Sequence, residues 1–132
     1  MRRLIFVGSL TRAAYRQKYR FESEFDSNGW SIRTIYPLTM SHLLSSLDYS
    51  VDCILLDVDL INQYQLMSVR DLVYPIQLNG YGLTMAMVQD DHSKVSKSST
   101  LMVDRVLTWP LTCDDARELS QCCYDRVISL IL

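Results

Sequence analysis

Five short apolar or alternating segments, separated by stretches with helical spacing, constrain the fold of this chain most strongly. They lie at residues 3–10, 30–37, 51–60, 81–90 and 103–110. Short runs of apolar, β-branched and aromatic residues bounded by glycine, proline or acids are typical of strands rather than helices. The third run, "VDCILLDVDL", is almost continuously apolar up to Asp57. That character predicts a central strand of a parallel sheet that is covered on both faces.

The connections between these segments favour helices. Helical spacing is clear over 11–28, 39–50 and 63–74 and again from 112 onward, whereas the connection at 91–102 is polar and predicts at most a short helix. Pro75 is expected to end the third helix. Thr112, with Asp115 three residues later, resembles a capping box at the start of the last helix. Its inner side is predicted to consist of Ala116, Leu119, Cys123 and Val127. Five strands alternating with five helical connections predict an open, doubly wound α/β domain.

Length and composition indicate one globular domain over residues 1–132. Apolar residues make up 48% of the chain and charged residues 21%, unlike the composition of disordered proteins. No apolar run is long enough for a membrane helix, so a cytoplasmic location is expected. The four cysteines show no metal-binding spacing and are expected to be reduced and mostly buried. The first twenty residues are basic, which predicts a solvated helix face or, alternatively, a surface for an anionic partner.

Asp57 raises the main functional question, because the carboxyl ends of strands form the site in an open α/β sheet. The acid is either a chemical group at that edge or only the residue that terminates the strand. Asp59 follows two residues later, and no third ligand accompanies the pair, so no metal site is predicted. Ser9 and His42 have no spacing that implies a catalytic triad, and the single Gly8 is too little for a phosphate loop.

Two segments, "DCILLDVDL" and "VDRVLTWPLTCDDAREL", resemble the third strand and the fifth strand with its following helix in the receiver domains of two-component response regulators. The resemblance implies a flavodoxin-like (βα)5 fold with a five-stranded parallel sheet in the order 2-1-3-4-5. It makes Asp57 the counterpart of the phosphoacceptor. It also implies that the bond between Trp109 and Pro110 is cis, as is usual in the family.

The receiver chemistry is not matched, so the chain resembles an atypical, or pseudo-, receiver. Gly8 and Ser9 stand where receivers have two magnesium-binding acids. The serine or threonine that receivers have at the end of strand four would fall near Met87 or Val88, neither of which has a hydroxyl. The lysine of strand five is replaced by Trp109. The indole is predicted to fill the pocket from within, with an outward orientation toward a partner as the alternative. The degenerate pocket thus comprises Asp57, Asp59, Gly8, Ser9, Met87, Val88, Trp109 and Pro110.

Without those counter-charges, phosphoryl transfer has little to stabilise it, and Asp57 is expected to be a strand-terminating acid. The predicted function is a non-enzymatic, phosphorylation-independent signalling domain without a cofactor. The alternatives are a working phosphoacceptor at Asp57 and a small-ligand sensor that uses the degenerate pocket.

The family resemblance places a homodimer or output-domain interface on the fourth helix, fifth strand and fifth helix. The face is self-complementary in charge, although a merely solvated helix face is equally compatible with it. Its residues here are Asp104, Arg105, Asp114, Arg117, Gln121 and Tyr124. The resemblance also implies an amino-terminal part of a longer transcription regulator, with DNA contact only through a carboxyl-terminal output domain.

Overall fold

The computed structural model describes residues 1–9, 16–48, 50–80, 82–90 and 102–131. Its strands and helices alternate along the chain. The strands are β1 (Arg2–Val7), β2 (Trp30–Ile35), β3 (Cys53–Asp57), β4 (Thr84–Gln89) and β5 (Arg105–Thr108). The helices are α1 (Arg16–Asp26), α2 (Met40–Ser46), α3 (Gln63–Leu78) and α4 (Cys113–Ile131).

The five strands form one parallel sheet in the order β2-β1-β3-β4-β5. This confirms the predicted sheet and strand order. The described residues contain four helices rather than five. The predicted connection between β4 and β5 lies outside them except for Met102, so α4 corresponds to the helix that was predicted as the fifth. Thr11, which the sequence offers as a cap for the first helix, also lies outside the described residues.

Helices cover both faces of the sheet. On one face, α1 and α4 enclose a core that includes Phe6, Phe21, Trp30 and Leu119. On the other face, α2 and α3 pack against residues such as Ile54. All five residues of β3 are buried, because this strand lies in the middle of the sheet. A near-continuous apolar sequence is typical of a strand in that position.

Capping residues in the sequence indicated where α2 and α4 begin, whereas the end of α3 was predicted wrongly. The sequence offers Thr39 or Ser41 as the cap of α2, and the structure shows Thr39 in that role, where its hydroxyl accepts a hydrogen bond from the His42 N–H. At the start of α4, the Asp115 carboxylate accepts the Thr112 N–H at 2.8 Å, which is one half of a capping box. The prediction that Pro75 ends α3 is wrong, since the helix continues through it to Leu78. The hydrogen bond that proline removes would have ended on the carbonyl of the exposed residue Asp71, where water can replace it.

The last helix is less buried than its spacing suggests. Ala116, Leu119 and Cys123 lie in the core as predicted, but Val127 is 42% exposed. All four cysteines are free; Cys53 and Cys123 are buried, and Cys113 and Cys122 are partly buried. Among the described residues, no helix combines the length and the apolar character needed to cross a membrane.

Candidate functional site

The predicted pocket forms where β1, β3, β4 and β5 end at the same edge of the sheet. Asp57 is the last residue of β3, and Gly8 directly follows β1. The parallel register places Val7 beside Leu56, and Asp57 beside Val88 of β4. Trp109 directly follows β5 and donates its backbone N–H to the Gln89 carbonyl at 2.9 Å. The topology therefore brings these sequence-distant residues together.

Asp57 is completely buried, with 0% of its surface exposed. Its Oδ1 accepts a hydrogen bond from the Asp59 N–H at 3.2 Å, and its carbonyl accepts the Leu60 N–H at 3.1 Å. The Asp59 carboxylate in turn accepts the Asp90 N–H at 3.2 Å. Both acids thus hold the loop after β3, and Asp59 ties that loop to the end of β4.

Gly8 leaves no room for a side chain at the end of β1. A Cβ atom there would lie 2.7 Å from Cζ of Phe6 and 2.9 Å from Cβ of Asp57. Even alanine would require the Phe6 ring or the backbone to shift, because such Cβ contacts are shorter than van der Waals separation. Ser9, the next residue, is only 8% exposed. The acids that receivers carry at this edge could not be introduced at position 8 without repacking Phe6.

Trp109 has the inward of the two expected orientations. Its side chain is 4% exposed, and its ring meets those of Phe6 and Phe21 in edge-to-face geometry, with centroid distances of 6.0 and 5.7 Å. Aromatic pairs in this geometry add stability beyond their buried area. The Trp109–Pro110 bond is cis, as expected from the resemblance. An aromatic cluster therefore occupies the space beside Asp57.

The sequence pattern did not reveal that Phe6 and Phe21 belong to this cluster. Both residues carried a signal of burial, Phe6 in an apolar strand and Phe21 on the inner side of the first helix. Their contact with Trp109 depends on which helix covers which face, and periodicity along the chain does not specify that. The aromatic composition at the three positions was the available clue.

The end of β4 offers no hydroxyl to the site. Met87 and Val88 are both fully buried, and they point to opposite faces of the sheet. Val88 lies on the side of Trp109 and Phe6. In the part of the chain that the structure describes, no group of three or more histidine, cysteine, aspartate or glutamate side chains could hold a metal ion.

The predicted interface residues lie near β5 and α4, and most of their charges already pair within the monomer. Arg105 forms an ion pair with Glu118 at 3.5 Å, and Arg117 forms one with Asp114 at 3.0 Å. Gln121 donates to Asp125 at 2.8 Å. Tyr124 is 53% exposed and presents an aromatic side chain on this face.

Asp104 has a structural role that the sequence did not indicate. Its carboxylate accepts the Met85 N–H at 2.9 Å and the Gln77 side-chain amide at 3.1 Å, and it pairs with Arg126. The side chains of Asp104 and Arg126 are each about one quarter exposed. This carboxylate therefore links the segment before β5 to α3, β4 and α4.

A cavity lies at the opposite end of the strands from Asp57. Its volume is about 500 Å³. It is lined by the end of α2, the residues before β3 and β4, and one side chain each of α3 and α4: Leu47, Asp48, Val51, Asp52, Ile76, Gly82, Leu83 and Val127. None of the predicted pocket residues lines it.

No protein-family model and no curated protein matches the sequence. Solved structures do resemble the fold. The lysine decarboxylase LdcF from Francisella novicida is 16% identical, with a TM-score of 0.67; the match covers 96% of this chain and 17% of the decarboxylase. This chain therefore spans less than a fifth of that enzyme.

Two response regulators match over nearly their whole length. A response regulator receiver domain protein from Clostridium thermocellum has 11% identity and a TM-score of 0.66, with 100% of both chains covered. The response regulator TrrA from Thermotoga maritima, solved in complex with Mg²⁺ and BeF, has 16% identity and a TM-score of 0.60. That match covers 93% of this chain and 99% of TrrA. The described chain therefore has the fold of response-regulator receiver domains.

Proposed function

We propose that this chain is a receiver-like signalling domain that acts through protein–protein contact, without phosphorylation of Asp57 and without enzymatic activity. The complete burial of Asp57 is the observation that carries this proposal. A phosphoacceptor has to meet its phosphoryl donor and then accommodate the transferred group. Here the neighbouring space is occupied by Phe6 and Trp109, which pack against each other.

The missing charges support the same function. Phosphoryl transfer depends on cations and metal ions that neutralise charge on the transferring group. At this edge, Gly8 provides no carboxylate for a metal ion, and Trp109 replaces the cation with an apolar ring. Val88, beside Asp57 in the register, has no hydroxyl. A phosphoryl group on Asp57 would therefore adjoin Phe6, Val88 and Trp109, none of which carries a charge.

The same packing disfavours a small-ligand sensor in the degenerate pocket. A ligand between Gly8, Asp57 and Trp109 would have to displace buried aromatic rings. The described cavity of about 500 Å³ lies at the other end of the sheet and shares no residue with that pocket. The proposed activity therefore resides on the surface of the domain.

The proposed surface for a partner is the face of β5 and α4. Tyr124 is half exposed there, and the flanking ion pair between Arg117 and Asp114 is open to solvent. A central aromatic residue with a charged rim is typical of protein interfaces. By analogy with the receiver domains of transcription regulators, we take an output domain that controls transcription as the partner of this face.

Incubation with acetyl phosphate and Mg²⁺, followed by intact-protein mass spectrometry, tests the proposal. TrrA serves as the positive control, and Asp57→Asn of this chain shows the background. We expect neither the wild-type chain nor Asp57→Asn to gain the mass of a phosphoryl group. A phosphoryl adduct that appears on the wild-type chain and disappears in Asp57→Asn would overturn the proposal.

A further inference from the structure

The outer side of α3 carries a stripe of exposed side chains. Its members recur at alternating intervals of three and four residues, which places them along one side of the helix: Tyr64, Met67, Asp71, Tyr74 and Leu78. All except Asp71 are large and apolar, with 82%, 45%, 47% and 67% of their surface exposed in chain order. We refer to these five residues as the outer stripe of α3.

The opposite side of the same helix already supplies its share of the core. Leu66, Val69 and Val73 are buried against the sheet. The outer stripe is therefore not needed for the fold of the monomer. Single exposed apolar residues are ordinary, but a contiguous row of them on a helix marks an interaction site. The spacing of three and four residues is the spacing by which helices pair with each other.

The charges at the middle of the stripe indicate what covers it. Asp71 is the midpoint between Tyr64 and Leu78, and Arg70 is its direct neighbour. The Arg70 guanidinium lies 4.5 Å from the centre of the Tyr74 ring and donates one hydrogen bond to Gln77 at 3.1 Å. Within the described part of the chain, Asp71 has no ion-pair partner. A neighbouring acid and base at the centre of a row are self-complementary under a two-fold axis.

We propose that a second copy of this chain docks on the outer stripe of α3, with the two α3 helices antiparallel. A two-fold axis near Asp71 brings Tyr64 of one copy to Leu78 of the other. It also brings Met67 to Tyr74 of the second copy. Each Arg70 then lies beside Asp71 of the other copy, so that Asp71 gains a cation. The contact is isologous and closes after two copies.

The face of β5 and α4 is less suited to a second copy. Its acids and bases are already paired within the monomer, as Arg105 with Glu118 and Arg117 with Asp114. A symmetric contact there would have to exchange existing ion pairs for equivalent ones. The outer stripe of α3 instead offers apolar side chains and an acid that has no described cation.

The size of the stripe sets the strength of the expected dimer. From Tyr64 to Leu78 the helix rises about 21 Å at 1.5 Å per residue. A single pair of helices of this length buries less than the roughly 1,200 Å² of a standard interface, which is typical of weak association. The inference rests on the proposed function, because it names a second copy as one partner of an interaction domain.

Sedimentation velocity of the full chain over a wide concentration range tests this dimer. We expect a monomer–dimer equilibrium in the wild-type chain. Tyr64→Glu and Met67→Glu should each weaken it at least tenfold, because each places a carboxylate against an apolar side chain of the other copy. Both positions are exposed in the monomer, and circular dichroism checks that the variants fold. Tyr124→Glu on α4 is the matched control and should leave the equilibrium unchanged.

A crosslinking experiment tests the antiparallel register. Residues near the two-fold axis have Cα atoms close enough for a disulfide, which requires a separation of about 7 Å or less. Under mild oxidation, Asp71→Cys should form a covalent dimer much faster than Asp114→Cys, an equally polar and exposed site on α4.

A wild-type chain that stays monomeric would overturn the inference. Dissociation by Tyr124→Glu alone would also overturn it and would assign the dimer to the face of β5 and α4. Neither result bears on whether Asp57 is phosphorylated.

Discussion

At the scale of single residues, a glycine and a tryptophan determine how Asp57 is enclosed. Gly8 permits the backbone at the end of β1 to approach Asp57 and Phe6, and Trp109 fills the space beyond them. Neither residue carries the charge that the receiver pattern has at its position, and the rings of Phe6 and Trp109 occupy the adjacent volume. The proposed function therefore depends on packing as much as on missing charged groups.

Gly8→Ala is expected to destabilise the fold by about 1 to 3 kcal/mol, because the added Cβ atom overpacks the site. Urea unfolding followed by circular dichroism measures this cost. In the background of Phe6→Leu, which removes the ring that the Cβ atom would meet, the cost should be smaller by a measurable coupling energy. Equal costs in both backgrounds would show that Phe6 does not limit position 8.

Trp109→Lys introduces the side chain of the receiver pattern and should destabilise the fold by about 3 kcal/mol or more. The substitution removes a buried indole and places an ammonium group beside Phe6 and Phe21. Trp109→Phe keeps an aromatic ring and is the matched control, with a smaller expected loss. The urea midpoints of the two variants give the comparison. A Trp109→Lys variant as stable as the wild type would contradict the inward packing.

At the scale of helices and strands, Asp104 connects several elements through one carboxylate. It receives hydrogen bonds from Met85 of β4 and Gln77 of α3, and it pairs with Arg126 of α4. These elements lie on both sides of the sheet, since α3 and α4 cover opposite faces. A charge at this position therefore holds the two helix layers to the strand between them.

Asp104→Asn should lower the free energy of unfolding by about 1 to 3 kcal/mol, because a partly buried ionic pair and its hydrogen bonds are weakened. Asp114→Asn is the control: it breaks the ion pair with Arg117, whose side chain is 66% exposed, and exposed pairs contribute about 1 kcal/mol or less. Chemical unfolding of both variants provides the test. Equal small effects would mean that Asp104 does not link the layers.

The elements were more predictable than their ends. Five strands could be identified because apolar runs in a parallel sheet are nearly continuous, and "CILL" in β3 shows this directly. The end of α3 was mispredicted at Pro75, because the rule that proline stops a helix ignores whether water can reach the freed carbonyl. The links made by Asp104 depend on three segments far apart in sequence, and no local pattern encodes them.

At the scale of the whole molecule, burial sets the behaviour of the thiols. Burial raises the pKa of Cys53 well above its ordinary value of 9.0, and it also raises the pKa of Cys123 and Cys122. A thiol that resists ionisation in the folded state stabilises the fold below about pH 9. That contribution is lost as the pH rises further, because the unfolded chain ionises more readily.

Stability measured by urea unfolding should therefore decline above about pH 9 more steeply in the wild-type chain than in Cys53→Ala. The thiolate is the reactive form, so alkylation of native protein near neutral pH should spare Cys53 and Cys123. Peptide mapping by mass spectrometry identifies the modified sites. Rapid native alkylation of Cys53 would contradict its burial in the centre of the sheet.

The composition of the site could be read from the sequence, whereas its closure could not. Asp57, Gly8, Met87 or Val88, and Trp109 were placed at one edge because parallel strands align their carboxyl ends. That Phe6 and Phe21 meet Trp109 depends on the covering of one face by α1, which emerges only in three dimensions. The site therefore lacks the charged groups of the receiver pattern, and aromatic rings also fill the space beside Asp57.

The most direct test of the central claim is a titration of ¹⁵N-labelled protein with Mg²⁺ and beryllofluoride, followed by two-dimensional NMR. The claim is that the packed edge around Asp57 cannot receive a phosphoryl group. We predict that the amide resonances of residues 57–60 and of Trp109 remain where they are in the free protein. Saturable shifts of these resonances that require both Mg²⁺ and beryllofluoride, and that vanish in Asp57→Asn, would contradict the claim.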